Sequence, residues 1–149
     1  MYDLYGQLVF DSTKRQAIVF DLDGTLALRG DRHPHDLLRV SEDQPNPPVV
    51  WLARTIMAAG MWVIVTTGRQ HSCYDDTARW LEYWLATPDF GLKMRVTGDN
   101  RPDDVVKQEM HDAIATQYKI LMVFDDRNKV VDMWRRNRVT CLQVAPGDF

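Results

Sequence analysis

The chain has 149 residues, the length of one ordinary domain and enough to bury a single core without disulfides. Hydrophobic residues at 45% and charged residues at 26% exclude a disordered or collagen-like chain. A net charge of −3 excludes a basic nucleic-acid coat, though not a local basic pocket.

The predicted elements follow in chain order. Residues 17–20 (Ala-Ile-Val-Phe) are a continuous apolar run, the pattern of a strand buried on both faces, and Asp21 stands at its carboxyl end. The stretch 28–48 is polar, rich in Asp, His and Pro, and reads as a loop or small cap. A helix is predicted from Asn46-Pro47-Pro48, with Asn46 as N-cap, through Val50, Leu52, Ile56 and Met57 to Gly60. Residues 62–65 are a second buried strand, leading to a strand-to-helix turn at Thr66-Thr67-Gly68-Arg69. A helix over 76–85 carries Trp80, Leu81, Trp84 and Leu85 as a core-facing stripe, with base stacking as the rarer use of such aromatics. Residues 92–96 alternate as a half-exposed strand, 103–118 hold a helix, and 120–124 form a third buried strand ending in Asp125-Asp126. A helix over 129–136 and a last strand over 139–144 complete the chain. No apolar run approaches the ~20 residues of a membrane span. Asp3 and polar breaks within 1–10 argue against a signal peptide. Two cysteines, Cys73 and Cys141, make neither a CxxC site nor a disulfide framework, so a cytoplasmic protein is expected.

Strands alternating with helices predict one α/β domain with a parallel sheet of about five strands. Ligands of such sheets bind outside the carboxyl ends of the strands. The chemistry-bearing residues fall at three of those ends. In Asp21-Leu22-Asp23-Gly24-Thr25, one carboxylate can attack phosphorus and the second can move a proton, while Gly24 permits the tight turn between them. An acidic turn is the plainer reading. Four fixed positions at ~5% each match by chance roughly once in 10⁵ starts, and this match directly follows a buried strand. Asp125 and Asp126 would repel each other unless a cation sat between them and Asp21, and Mg²⁺ with its oxygen ligands suits that position. The hydroxyls of Thr66 and Thr67 and the backbone N–H groups at Gly68 and Arg69 can cradle phosphate oxygens. Lys107 early in its helix opposes the macrodipole and makes sense beside an anion.

These segments resemble the haloacid dehalogenase superfamily of phosphotransferases: DLDGTLA (21–27), VIVTTGR (63–69), Lys107 and VFDDR (123–127), in the family's order. Residues 21–32, 103–107 (DDVVK) and 125–149 further resemble the phosphatase domain of phage polynucleotide kinase/3′-phosphatases. The resemblance implies a Rossmann-like core with a small cap and a Mg²⁺-dependent phosphatase acting on the 3′-phosphates of DNA or RNA ends in repair. It implies Asp21 as the nucleophile that becomes an aspartyl-phosphate and Asp23 as general acid/base, its backbone carbonyl also reaching Mg²⁺. Thr67 and Lys107 would hold the phosphate, Asp125 and Asp126 would form the acidic metal motif with Asp126 as the direct ligand, and Arg32, Arg69 and Arg95 would bind substrate. The chain has no G-x-x-x-x-G-K-[ST] loop, so a phosphatase without its kinase is expected over 1–149, with a homodimer plausible by the same resemblance. Three rival readings stand beside it: a general nucleotide or small-molecule phosphatase, an end-binding module without chemistry, and a structural subunit. His33 and His35 read as loop histidines, His71 and His111 carry no signal, and Arg135 and Arg136 suit a helix C-terminus.

Overall fold

The computed structural model describes residues 13–149; the signal-peptide expectation over 1–10 lies outside them. Strand β1 (Arg15–Asp21) is buried from Ala17 onward, as its apolar run requires. It leads through the short strands β2 (Ala27–Leu28) and β3 (Gln44–Pro45), which pair antiparallel. Between them lies a 3-10 turn, Leu37–Glu42, and together these form the small cap. Helix α1 (Pro47–Ala58) starts at the predicted prolines. Asn46 does not cap it with its side chain. Its amide donates instead to the Thr25 carbonyl at 3.0 Å, tying the helix start to the acidic turn.

The chain continues through β4 (Trp62–Gln70), α2 (Tyr74–Leu85), β5 (Gly91–Arg95), α3 (Asp103–Gln117), β6 (Tyr118–Asp125), α4 (Asn128–Arg136) and β7 (Thr140–Gln143). Five strands form one sheet in the order β5-β4-β1-β6-β7, and every pairing is parallel. The chain winds outward from β1 to β4 and β5, then crosses back to β6 beside β1. The switch point therefore lies at the carboxyl ends of β1 and β6, where Asp21 and Asp125 stand.

Helices pack on both faces. One core gathers Phe20, Leu22, Val63, Val65, Trp80, Leu81 and Leu85; the other gathers Val19, Ile64, Ile114, Val123, Val131 and Trp134. Phe20 and Phe124 stack across adjacent strands with centroids 4.6 Å apart. Trp80, Leu81 and Leu85 are buried, as the helical stripe predicts. One expectation is corrected. Thr67, Gly68 and Arg69 lie inside β4 and not in a strand-to-helix turn, because the strand runs on to Gln70 through a shift of its register with β5. Among the described residues no helix is long and apolar enough to cross a membrane.

Candidate active site

Asp21 ends β1, Asp125 ends β6, and Asp126 follows directly. Adjacent parallel strands bring these carboxylates together, with one oxygen from each lying within 4.8 Å of the others. All three are buried. Lys107 reaches them from the second turn of α3. Its ammonium donates to Asp21 Oδ1 at 2.6 Å, to the Thr66 carbonyl at 3.1 Å, to Thr66 Oγ1 at 3.0 Å and to Asp125 Oδ2 at 3.5 Å. Thr25 Oγ1 donates to Asp21 Oδ2 at 3.2 Å.

Three acids against one ammonium leave this cluster short of positive charge. Burial pushes the Asp21 carboxyl well up; Lys107 pulls it down, and Asp125 and Asp126 push it further up. Burial alone would lower Lys107, but Asp21 and Asp125 outweigh it and the ammonium keeps its proton more tightly than an ordinary lysine. Asp126 is pushed up to about 6, by burial first and by Asp125 second. Oxygen donors that gain by shedding protons to a cation are the set a hard divalent ion takes.

Asp23 points away from this cluster, towards arginines. Arg69 donates to it through Nε at 3.0 and 3.2 Å and through its NH2 nitrogen at 2.7 Å; Arg32 adds a contact at 3.3 Å. Thr67 Oγ1 donates at 3.5 Å and accepts the Arg69 backbone N–H at 3.1 Å. The Asp23 side chain is 33% exposed, the most open of the site acids, so solvent can reach it.

Asp43, in the cap, binds both arginines at once. It accepts Arg32 Nε at 2.7 Å and NH2 at 2.8 Å, and Arg69 NH2 at 2.6 Å. Its side chain is fully buried, and its backbone carbonyl accepts the Trp80 indole N–H at 2.7 Å. No pattern in the polar stretch 28–48 singled it out.

The third group of predicted residues sits beside the first two. Arg95 donates to the carbonyls of Gly68 at 2.9 Å, Asp99 at 3.1 Å and Arg101 at 2.6 Å, and it pairs with Asp103. Asp103 also pairs with Arg127. Arg95 thus spends most of its donors on the protein, clamping the end of β4. A Cβ at Gly68 would approach Asp103 Oδ1 to 2.8 Å and push that side chain aside. Asp103 is a second acid that the sequence reading passed over, since two aspartates in a first helical turn are ordinary. The structure also separates the predicted pair Thr67 and Lys107: Thr66 bonds the lysine, and Thr67 serves Asp23 and Arg69. Cys141 is pushed up to about 12, first by burial and then by Asp125, and is no nucleophile.

The family model for the polynucleotide kinase PNKP phosphatase domain matches residues 15–149. The chain belongs to that family. A phosphatase domain of this type is a phosphoric monoester hydrolase. A protein of Autographa californica nuclear polyhedrosis virus, described as a bifunctional polynucleotide kinase/RNA ligase, is 32% identical over 123 residues, covering 80% of this chain and 18% of that protein. A chain in the structure of a Pnkp1/Rnl/Hen1 RNA repair complex superposes with a TM-score of 0.87 at 36% identity, covering 95% of this chain and 46% of the other. This phosphatase domain therefore spans less than half the length of those relatives. The class C acid phosphatase of Bacillus anthracis shares the fold at 18% identity, with a TM-score of 0.64 over 80% of this chain and 55% of that one.

Proposed function

We propose that this chain is a Mg²⁺-dependent polynucleotide 3′-phosphatase of nucleic-acid repair, with Asp21 as the nucleophile. The observation that carries the reading is the division of its two central acids. Asp21 lies buried among Lys107, Thr25 and two further carboxylates, whereas Asp23 lies at an open rim among arginines. One environment suits attack on phosphorus and the other suits proton transfer.

An Asp21 oxygen attacks the phosphorus, the bond to the 3′-oxygen breaks, and Asp23 delivers a proton to that oxygen. Asp23 then takes a proton from water as the water attacks the aspartyl-phosphate, which releases phosphate and regenerates Asp21. Arg32, Arg69 and Arg95 orient the phosphate by giving up part of their present contacts, and Lys107 fixes Asp21 while offsetting charge on the transferring group. Bound by Asp21, Asp125, Asp126 and the Asp23 carbonyl, Mg²⁺ would neutralise charge on the phosphoryl oxygens.

The test is phosphate release from matched oligonucleotides bearing a 3′- or a 5′-phosphate, with and without Mg²⁺. Mg²⁺-dependent release from the 3′ end alone is expected. Release only from small esters would keep the chemistry and remove the polynucleotide.

Two further results are expected. Gly24 holds φ at +87°, and a Cβ there would collide with Asp126 Oδ2. Gly24→Ala therefore strains the turn and displaces a metal carboxylate, lowering kcat/KM by about tenfold or more and raising the Mg²⁺ needed for half-maximal rate. A Mg²⁺ titration checks this; an unchanged midpoint would show that Asp126 does not bind the metal.

The second concerns pH. A carboxyl whose pKa is raised by folding favours the folded state below its ordinary value near 3.8, and that contribution disappears as pH rises through about 6. In EDTA, Tm should fall between pH 5 and pH 7.5, and Mg²⁺ should restore it at pH 7.5 more than at pH 5. Asp126→Asn should flatten both responses. Equal melting curves for the variant and the parent would remove Asp126 from the metal site.

A further inference from the structure

A groove of about 340 Å³ runs along α2 against the cap. Asp43 forms part of its wall, and its carboxylate accepts from Arg32 and Arg69, which also reach Asp23. Its other wall is aromatic. Tyr83 is 76% exposed and meets Trp84 edge-to-face, centroids 5.0 Å apart and planes at 89°. The core takes Trp80, Leu81 and Leu85 from the same helix, with Trp84 packed against it, and leaves Tyr83 outside.

The groove carries acids, but each is already matched. Asp76 pairs with Arg79 at 2.7 Å, Glu42 with Arg39 at 2.7 Å, and Asp43 with the two site arginines. No free cation invites a phosphate, and no free anion invites a basic peptide. What remains is the exposed Tyr83 ring, set edge-to-face on Trp84 and bordered by the exposed Gln44 and Arg79 side chains. That combination takes a neutral planar ring with a hydrogen-bonding edge.

We infer that this groove is a nucleobase subsite for the substrate strand, receiving a base at or next to the phosphorylated 3′ end. The inference rests on the polynucleotide reading above. Stacking tolerates any base, so the subsite would distinguish strands from small esters without selecting sequence.

The test compares the parent, Tyr83→Ala and Tyr83→Phe on 3′-phosphorylated oligonucleotides with one abasic residue at successive positions from the 3′ end, and on p-nitrophenyl phosphate. In the parent, one abasic position should raise KM about tenfold with kcat unchanged. Tyr83→Ala should raise KM on the intact strand by a similar factor and lose its sensitivity to that position. Tyr83→Phe should behave as the parent, and p-nitrophenyl phosphate turnover should be equal in all three. A KM for the intact strand within about twofold of the parent, or a loss shared by p-nitrophenyl phosphate, would overturn the assignment. Should the parent hydrolyse p-nitrophenyl phosphate and no oligonucleotide, the polynucleotide reading itself falls. Should it hydrolyse oligonucleotides with KM indifferent to Tyr83, only the subsite falls, and a protein segment becomes the occupant to seek.

Discussion

Asp21→Asn is expected to abolish phosphate release, by roughly 10⁴-fold or more, while leaving the fold intact. The amide has nearly the shape of the carboxylate. Its oxygen can accept the Lys107 bond that Asp21 Oδ1 takes at 2.6 Å, and its NH2, standing in place of Oδ2, can donate to the Thr25 hydroxyl 3.2 Å away. It lacks the anionic oxygen that forms the bond to phosphorus, so the first half-reaction has no nucleophile. The electrostatics supply a second readout. Burial and the neighbouring Asp125 and Asp126 already disfavour a charge at position 21. Removing that charge relieves repulsion among three carboxylates served by one ammonium. In EDTA at neutral pH the variant should therefore melt at or above the parent's temperature, and Mg²⁺ should raise its Tm less. Full turnover would remove the covalent route and leave direct attack by water. A large fall in Tm without metal would show that Asp21 holds the sheet edge together through Lys107.

The sheet and the acidic turn were legible because both are written in short contiguous patterns. Ala17 to Phe20 and Val63 to Val65 are apolar on both faces only because helices cover both faces. Asp21, Asp23 and Gly24 are adjacent in sequence, and Asp125-Asp126 ends the neighbouring strand. The rest depends on contacts between distant segments. Asp43 lies 26 residues from Arg69 and in a stretch where acids are common, so nothing local distinguishes it. Thr66 and Thr67 differ by one position, and in a strand that single step sends one hydroxyl to Lys107 and the other to Asp23. Arg95 reads by charge as a substrate ligand, and its contacts with Gly68, Asp99, Arg101 and Asp103 depend on the path of the loop after β5, which no local pattern spells out.

Asp43→Ala is expected to lower kcat/KM by about 10²- to 10³-fold, chiefly through KM, and to destabilise the fold by about 3–5 kcal/mol. The stability loss follows from burial. The Arg32 and Arg69 side chains are each 2% exposed, and the Asp43 carboxylate that faces both is completely buried. Removing it strands two guanidinium groups away from water. The loss of activity follows from how the arginines share their donors. Asp43 holds one side of Arg69, while Nε and NH2 of the same group reach Asp23. Without Asp43, both arginines can collapse onto Asp23, the remaining carboxylate in reach. That would draw the cations further onto Asp23 and away from the phosphate they orient in the proposed mechanism. Inorganic phosphate should then inhibit more weakly by the same factor as KM rises, because product and substrate meet the same arginines. Asp43→Asn keeps the shape and the acceptor oxygen, so it should recover much of the stability but less of the phosphate affinity. If Asp43→Ala lowers Tm while KM and phosphate inhibition stay at the parent's values, Asp43 is a structural strut and the arginines find their positions without it.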